Sequence, residues 1–311
     1  MIRNSIVLVL GAGASKPYGL PLGWELRDNV IELCSRDGIR KHTKDSHPDG
    51  SVWGQFAKAL ANSGHKSVDA FLEENAQWLD YGKTSIAYSL HGLEKPYRLF
   101  PPHQPKSDHW LEILWGYLRA PTWRSFKKTG LRVVTFNYDR LPEHYLATVI
   151  SSRYTISKTK AAEFLDKEIF CHVHGSLGWY TEDILSWKTH FRAVAAANSI
   201  KIIHETARAS PELRRAQNYI KNAKGILFIG FGYHKQNLAR LRLDRIARDY
   251  DGWPEIIIRG THKGIKAVEW KKLCHSNKFS EDAHMYGAGT ISELLNQILP
   301  FAGHPISSAG R

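Results

Sequence analysis

The sequence predicts a doubly wound α/β fold, with a mainly parallel, Rossmann-like sheet and an inserted helical subdomain. Three observations predict it. Five short runs are continuously apolar and β-branched, the pattern of strands buried on both faces. Helical periodicities separate most of these runs, and a glycine-rich turn directly follows the first.

The first strand is expected at Ile6 to Leu10, running straight into Gly11-Ala-Gly-Ala-Ser15. Together with Met-Ile-Arg-Asn before it, this run imitates a secretory signal. It is at the short limit for one, however, and serves better as the opening strand and turn of a nucleotide-binding unit. Leu26, Val30, Leu33 and Cys34 then recur at helical spacing, with Gly38 as a stop.

From about Ile39 to Thr129 the rhythm breaks: helical patterns are present, but no convincing strand. Phe71, Leu72, Asn75, Trp78 and Leu79 form one helix face, and Leu111, Leu114, Trp115 and Leu118 another. Pro96, Pro101, Pro102 and Pro105 mark an irregular connection between them. Trp53, Trp78, Trp110, Trp115 and Trp123 all lie here, as expected of a small helical core. The expected organisation is therefore a nucleotide-binding domain from residues 1–38 and 130–311, with residues 39–129 inserted.

Further strands are expected at Leu131 to Phe136, Ile169 to Val173, Ile226 to Ile229 and Glu255 to Ile258. Ser210-Pro211 gives a helix cap followed by proline in the first turn, and Leu213, Ala216, Tyr219 and Ile220 make its apolar stripe. Near the end, Thr290 and Glu293 fit a capping box opening a helix that Pro300 stops.

A formal charge of +13 points to an anionic partner, which charge alone does not specify. Cys34, Cys171 and Cys274 form neither a disulfide framework nor a Cys-x-x-Cys pair, so a reducing compartment is expected and no metal. No apolar stretch is long enough to span a bilayer.

The chemistry is expected at the strand tips. Small residues after the first strand let a pyrophosphate approach backbone amides, which at this position point out from the sheet's carboxyl edge. The motif departs from the usual dinucleotide fingerprint, because Lys16 stands three residues after Gly13 and the next glycine is Gly19. Hydride transfer is thereby disfavoured. Asn137-Tyr-Asp139 follows the second strand, His174-Gly-Ser176 the third and Gly230-Phe-Gly232 the fourth. Each tip alone has an ordinary structural explanation, such as Asn137 and Asp139 capping the next helix. Four together, on the edge where open parallel sheets bind ligands, converge on one crevice.

Taken together, these motifs resemble the sirtuin superfamily, in particular the sirtuin-like NAD hydrolases of prokaryotic anti-phage defence. Gly11-Ala-Gly-Ala-Ser15 with Gly19-Leu-Pro21 resembles the nucleotide loop, and Thr135-Phe-Asn-Tyr-Asp139 the catalytic asparagine motif. His174-Gly175 resembles the histidine-glycine pair, and Gly230-Phe-Gly232 the ribose and phosphate loop. The resemblance spans most of residues 1–260. Deacylating sirtuins carry a zinc ribbon that three isolated cysteines do not build, so what the resemblance implies is hydrolysis of NAD to nicotinamide and ADP-ribose, depleting NAD during infection. It implies NAD as substrate, bound by Gly11, Ala12, Gly13, Ser15, Pro21, Asn137, Asp139, Gly175, Gly230, Phe231 and Gly232. Asn137 would hold the attacking water and the ribose, His174 would act as base on water or a ribose hydroxyl, and Asp139 would orient Asn137 or the nicotinamide amide. A non-catalytic nucleotide sensor or scaffold, and an ADP-ribosyltransferase or deacylase, are the alternatives.

The resemblance further implies a cytoplasmic protein that assembles with itself and is activated by a separate sensor subunit. A helix expected over Lys235 to Tyr250 carries Arg242 and Arg245 on one side and Arg240 and Arg248 around Asp244. With Arg214, Arg215, Lys221 and Lys224 it reads either as a solvated, salt-bridged face or as a surface for an acidic partner or nucleic acid.

Overall fold

The computed structural model describes residues 1–35, 39, 50–91, 93, 96–100, 108–178, 190–202, 210–246, 256–277, 279 and 289–300. Five parallel strands form one sheet: β1 (Ile6–Leu10), β2 (Leu131–Thr135), β3 (Phe170–His172), β4 (Gly225–Ile229) and β5 (Ile257–Gly260). Their order is β3-β2-β1-β4-β5. The chain winds outward from β1 to β3, returns to the other side of β1 for β4, and ends at β5. The winding therefore reverses between β1 and β4, and at such a point the loops after two adjacent strands part to opposite faces. Registers are regular across the centre, Leu8 lying opposite Val133 on one side and Leu227 on the other.

The helices are α1 (Gly23–Ser35), α2 (Gly50–Asn62), α3 (Val68–Glu74), α4 (Leu79–His91), α5 (Pro96–Leu99), α6 (Trp110–Leu118), α7 (Trp123–Phe126), α8 (Leu141–Tyr154), α9 (Lys158–Phe164), α10 (His190–Ser199), α11 (Pro211–Lys221), α12 (Lys235–Leu241), α13 (Ala267–Ser276) and α14 (Ile291–Ile298). Period-two alternation along β1 divides the interior in two. Ile6, Leu8 and Leu10 enter a core shared with Leu26 and Val30 of α1, Leu146 and Ile150 of α8, and Leu294 and Leu295 of α14. Val7 and Val9 enter a second core with Leu213 and Ile220 of α11, Leu238 and Leu241 of α12, and Trp270 of α13. All five β1 side chains are buried, each such apolar group contributing about 1.5–3 kcal/mol.

Among the described residues, the inserted helices share the core of the sheet. Trp53, Phe56, Phe71, Leu72, Trp110, Leu111, Leu114 and Leu118 belong to the same cluster as Ile6, Leu8 and Leu10, so the insertion roofs one face of the sheet.

Helix boundaries follow the local signals where these are strong. Ser210 Oγ accepts from the Leu213 amide at 3.1 Å ahead of Pro211, and Thr290 and Glu293 make the reciprocal capping box. Two elements differ from expectation by more than one residue at a boundary. β5 begins two residues later than Glu255, pairing Gly225 with Ile257 and Phe228 with Gly260. The helix starting at Lys235 ends at Leu241, because Arg242 adopts a left-handed conformation (φ 53°) before a 3-10 turn, Leu243–Arg245. Leu243 and Ile246 reach the second core from this turn. Gly38, Pro101, Pro102, Pro105, Ala247, Arg248 and Tyr250 lie outside the described residues. Among the described residues no helix is long and apolar enough to cross a membrane.

Candidate active site

The loop after β1 turns at once into a 3-10 turn, Ala12–Ala14, and its glycines answer to the loop after β4. A β-carbon at Gly11 would lie 2.7 Å from the Gly230 carbonyl oxygen, and one at Gly13 would lie 2.7 Å from the Gly230 α-carbon. Gly230 itself has φ 55°, and a β-carbon there would run into the Ala14 amide nitrogen. The amides of Gly11 and Gly13 donate to the carbonyls of Ile229 and Gly230, at 3.0 and 2.9 Å. Those of Ala14 and Ser15 donate to Gly11 and Ala12. Of the five amides expected to point outward, only that of Ala12 lacks a main-chain acceptor among the described residues. The small residues thus let two backbones touch as well as keeping the loop tight.

The loop after β2 joins this contact. Asn137 Nδ2 donates to the Gly11 carbonyl at 3.0 Å and to Ser15 Oγ at 3.2 Å, and Ser15 Oγ donates to Asp139 Oδ2 at 2.8 Å. Asp139 Oδ1 accepts from the amide of Leu141, the first residue of α8, at 3.3 Å. Asn137, Ser15 and Asp139 are all buried. Both amide protons of Asn137 are committed, so its side chain can meet a ligand only through Oδ1, as an acceptor. Burial pushes the Asp139 carboxyl up to about 6, against the lowering pull of the Ser15 hydroxyl.

His172 and His174, two residues apart, would share one face of a continued strand, but β3 ends at His172 and the chain turns. His174 is buried, its ring edge-on to Phe136 at 5.4 Å, and Phe136 in turn meets Phe231 at 5.2 Å. Burial, with a smaller contribution from Arg240, lowers the His174 imidazole to about 4, so the ring is neutral at pH 7. Its Nδ1 is buried without a hydrogen-bond partner. Gly175 (φ 70°) bridges to Ile200, with no room for a β-carbon against the Ser199 carbonyl. Gly232 follows Phe231 beside His234, and Pro21 lies half-buried between the first loop and α1.

Hydrogen bonds therefore bring together Gly11, Ser15, Asn137 and Asp139, with Gly13 and Gly230 packed on them, while ring contacts tie His174 to Phe231. Pro21 and Gly232 make no hydrogen bond to this group. Among the described residues no three His, Cys, Asp or Glu side chains are placed to hold a metal ion.

Sequence reasoning missed three supports. His172 Nδ1 lies 3.1 Å from the Asn137 carbonyl, and its Nε2 2.5 Å from Glu143 Oε1. Thr261, just past β5, receives the Gly230 amide on Oγ1 at 2.9 Å. The insertion reaches the site as well: Trp110 Nε1 donates to the Ala14 carbonyl at 2.8 Å, and the Tyr138 hydroxyl donates to Asp69 on α3. Only the Arg140–Glu143 spacing at the start of α8 carried a sequence signal, a charge pair three residues apart. No family model matches the chain, and no curated protein does.

Proposed function

We propose that the chain is an NAD hydrolase, cleaving NAD to nicotinamide and ADP-ribose, and that it serves as the NAD-depleting effector of a cytoplasmic anti-phage defence system. The observation that carries the reading is the buried chain Asn137–Ser15–Asp139 at the carboxyl ends of β1 and β2, beside the β1/β4 reversal. Open parallel sheets bind nucleotides at that place. The resemblance of the four strand-tip motifs to sirtuin-like hydrolases supports the choice of substrate.

In the reaction the bond between the ribose anomeric carbon and the nicotinamide nitrogen breaks, its electron pair leaving with nicotinamide. Water adds to the anomeric carbon and one proton is released. Asn137 Oδ1, fixed by its two committed protons, accepts from the water or a ribose hydroxyl, and such positioning is a large part of what a cleavage through an oxocarbenium-like state needs. His174, neutral and with Nδ1 unpaired, orients a hydroxyl or the water. Asp139, ionised above pH about 6, keeps the Ser15 hydroxyl pointed away from the substrate and so holds Asn137. Self-assembly and a separate activating subunit belong to the same proposal.

The test is nicotinamide and ADP-ribose release from NAD by the purified chain and by Asn137→Ala and His174→Ala. Release lost in both variants supports the reading, and undiminished release in both sinks the mechanism. Where the wild type is silent, a thermal shift with NAD, repeated with candidate partners, separates a dormant hydrolase from a protein that never binds NAD.

A further inference from the structure

Beneath the site lies a buried charge cluster that the proposed chemistry leaves unused. Glu143 Oε1 receives both His172 Nε2, at 2.5 Å, and Arg140 Nε, at 3.2 Å. Arg140 also pairs with Asp166 and donates to the Gly178 carbonyl at 2.7 Å. Glu143 is 1% exposed and the Arg140 side chain 7%, so these charges are withdrawn from water. The other nitrogen of His172 faces the Asn137 carbonyl at 3.1 Å. A carboxylate and a carbonyl both accept, so the ring lies between two acceptors, one at each nitrogen.

Net stabilisation explains this cluster poorly. Desolvating ion pairs costs about as much as their attraction returns, and apolar replacements of buried pairs are often neutral or better. Its hydrogen bonds do provide a fixed geometry. They tie the segment after β2, through Asn137, Arg140 and Glu143, to the end of β3 at His172 and to the chain on either side of it, at Asp166 and Gly178.

We infer that His172 is a positioning residue for Asn137, holding its main-chain carbonyl from one side while Gly11 and Ser15 hold its side-chain amide from the other. Glu143, held by Arg140, which itself pairs with Asp166, keeps the imidazole aimed. The peptide plane and the side chain of Asn137 are then both fixed, and Oδ1 is presented in one orientation. The inference rests on the reading of Asn137 as the residue that orients the reacting groups.

Two substitutions separate aim from bulk. In His172→Asn the side-chain amide nitrogen occupies the place of Nδ1 and still donates to the Asn137 carbonyl. In His172→Gln the nitrogen reaches Glu143 instead and leaves that carbonyl unheld. Both are made in the full chain, with two readouts: amide hydrogen exchange of the peptide covering residues 137–141, and kcat and KM for nicotinamide release. His172→Gln is expected to speed exchange in that peptide and to lower kcat about 10- to 100-fold, the scale for a displaced catalytic group, with KM changed less than about threefold. His172→Asn is expected to restore slow exchange and recover most of kcat. Unchanged exchange in His172→Gln, or equal losses in the two variants that follow their melting temperatures, overturns the inference. So does altered exchange with undiminished kcat. Should the wild type release no nicotinamide, the exchange still reports the clamp, so failure of the hydrolase reading is seen separately from failure of this one.

Discussion

Gly11 and Gly230 meet backbone to backbone, the carbonyl of Gly230 standing 2.7 Å from where a β-carbon on Gly11 would be. The two positions differ in what alanine would cost. Gly11 has extended backbone, so alanine there meets only the clash, about 1–3 kcal/mol. Gly230 sits at φ 55°, so alanine adds the left-handed penalty to the clash, about 2–5 kcal/mol in all. Denaturant midpoints are expected to fall for both variants, and further for Gly230→Ala. Equal shifts would contradict this account.

Removing the Ser15 hydroxyl is expected to act on Asp139 and Asn137 together. Ser15→Ala takes away the hydrogen bond that restrains the rise of the Asp139 carboxyl, so its titration moves above about 6. Nicotinamide release by the wild type should decline as pH falls through about 6, and the decline should begin at higher pH in Ser15→Ala. A stability loss of about 1–3 kcal/mol accompanies it, for a buried acceptor left without its donor. Ser15→Thr keeps the hydroxyl and tests the pH effect against simple loss of packing.

Stability should record His174 as pH falls. Its ordinary value is 6.5 and burial lowers it to about 4, so the unfolded chain takes up a proton first. The stability gained by holding it neutral is complete above about pH 6.5 and drains away as pH drops toward 4. Asp139, shifted upward, acts in the opposite sense over an overlapping range. Comparison with His174→Phe, which retains Asp139, cancels that contribution. Between pH 7 and 4 the wild type is expected to lose about 2–4 kcal/mol relative to the variant, and parallel curves would argue against a buried neutral ring.

Tyr138 lies between Asn137 and Asp139 and donates to Asp69, whose carboxyl burial pushes upward. Tyr138→Phe should cost about 1–3 kcal/mol, and a double-mutant cycle with Asp69→Asn should show positive coupling. Additive losses would mean that the two residues do not act as a pair.

The sheet was legible because burial on both faces leaves a plain mark: Ile6 to Leu10 is apolar without interruption, and the structure buries every one of its side chains. Caps were equally readable at Ser210 and Thr290, where one short-range bond decides the boundary. The helix from Lys235 was overextended because its apolar spacing persists through Leu243 and Ile246, although the left-handed turn at Arg242 lets those side chains reach the core without a helix. The loops after β1, β2, β3 and β4 could be located from the strand pattern, but the partners of their residues could not. His172 and Glu143 are 29 positions apart, and only the fold makes a buried histidine and a buried glutamate neighbours. Nor does a glycine motif reveal whether its amides face a ligand or, as at Gly11 and Gly13, another stretch of the same chain.

The shared interior of the inserted helices and the sheet has a consequence for engineering. With Phe56, Phe71, Leu111 and Leu114 packed in the same cluster as Ile6, Leu8 and Leu10, excising the segment would strip one side of the central strand to solvent. It cannot be trimmed away or exchanged like an appended module.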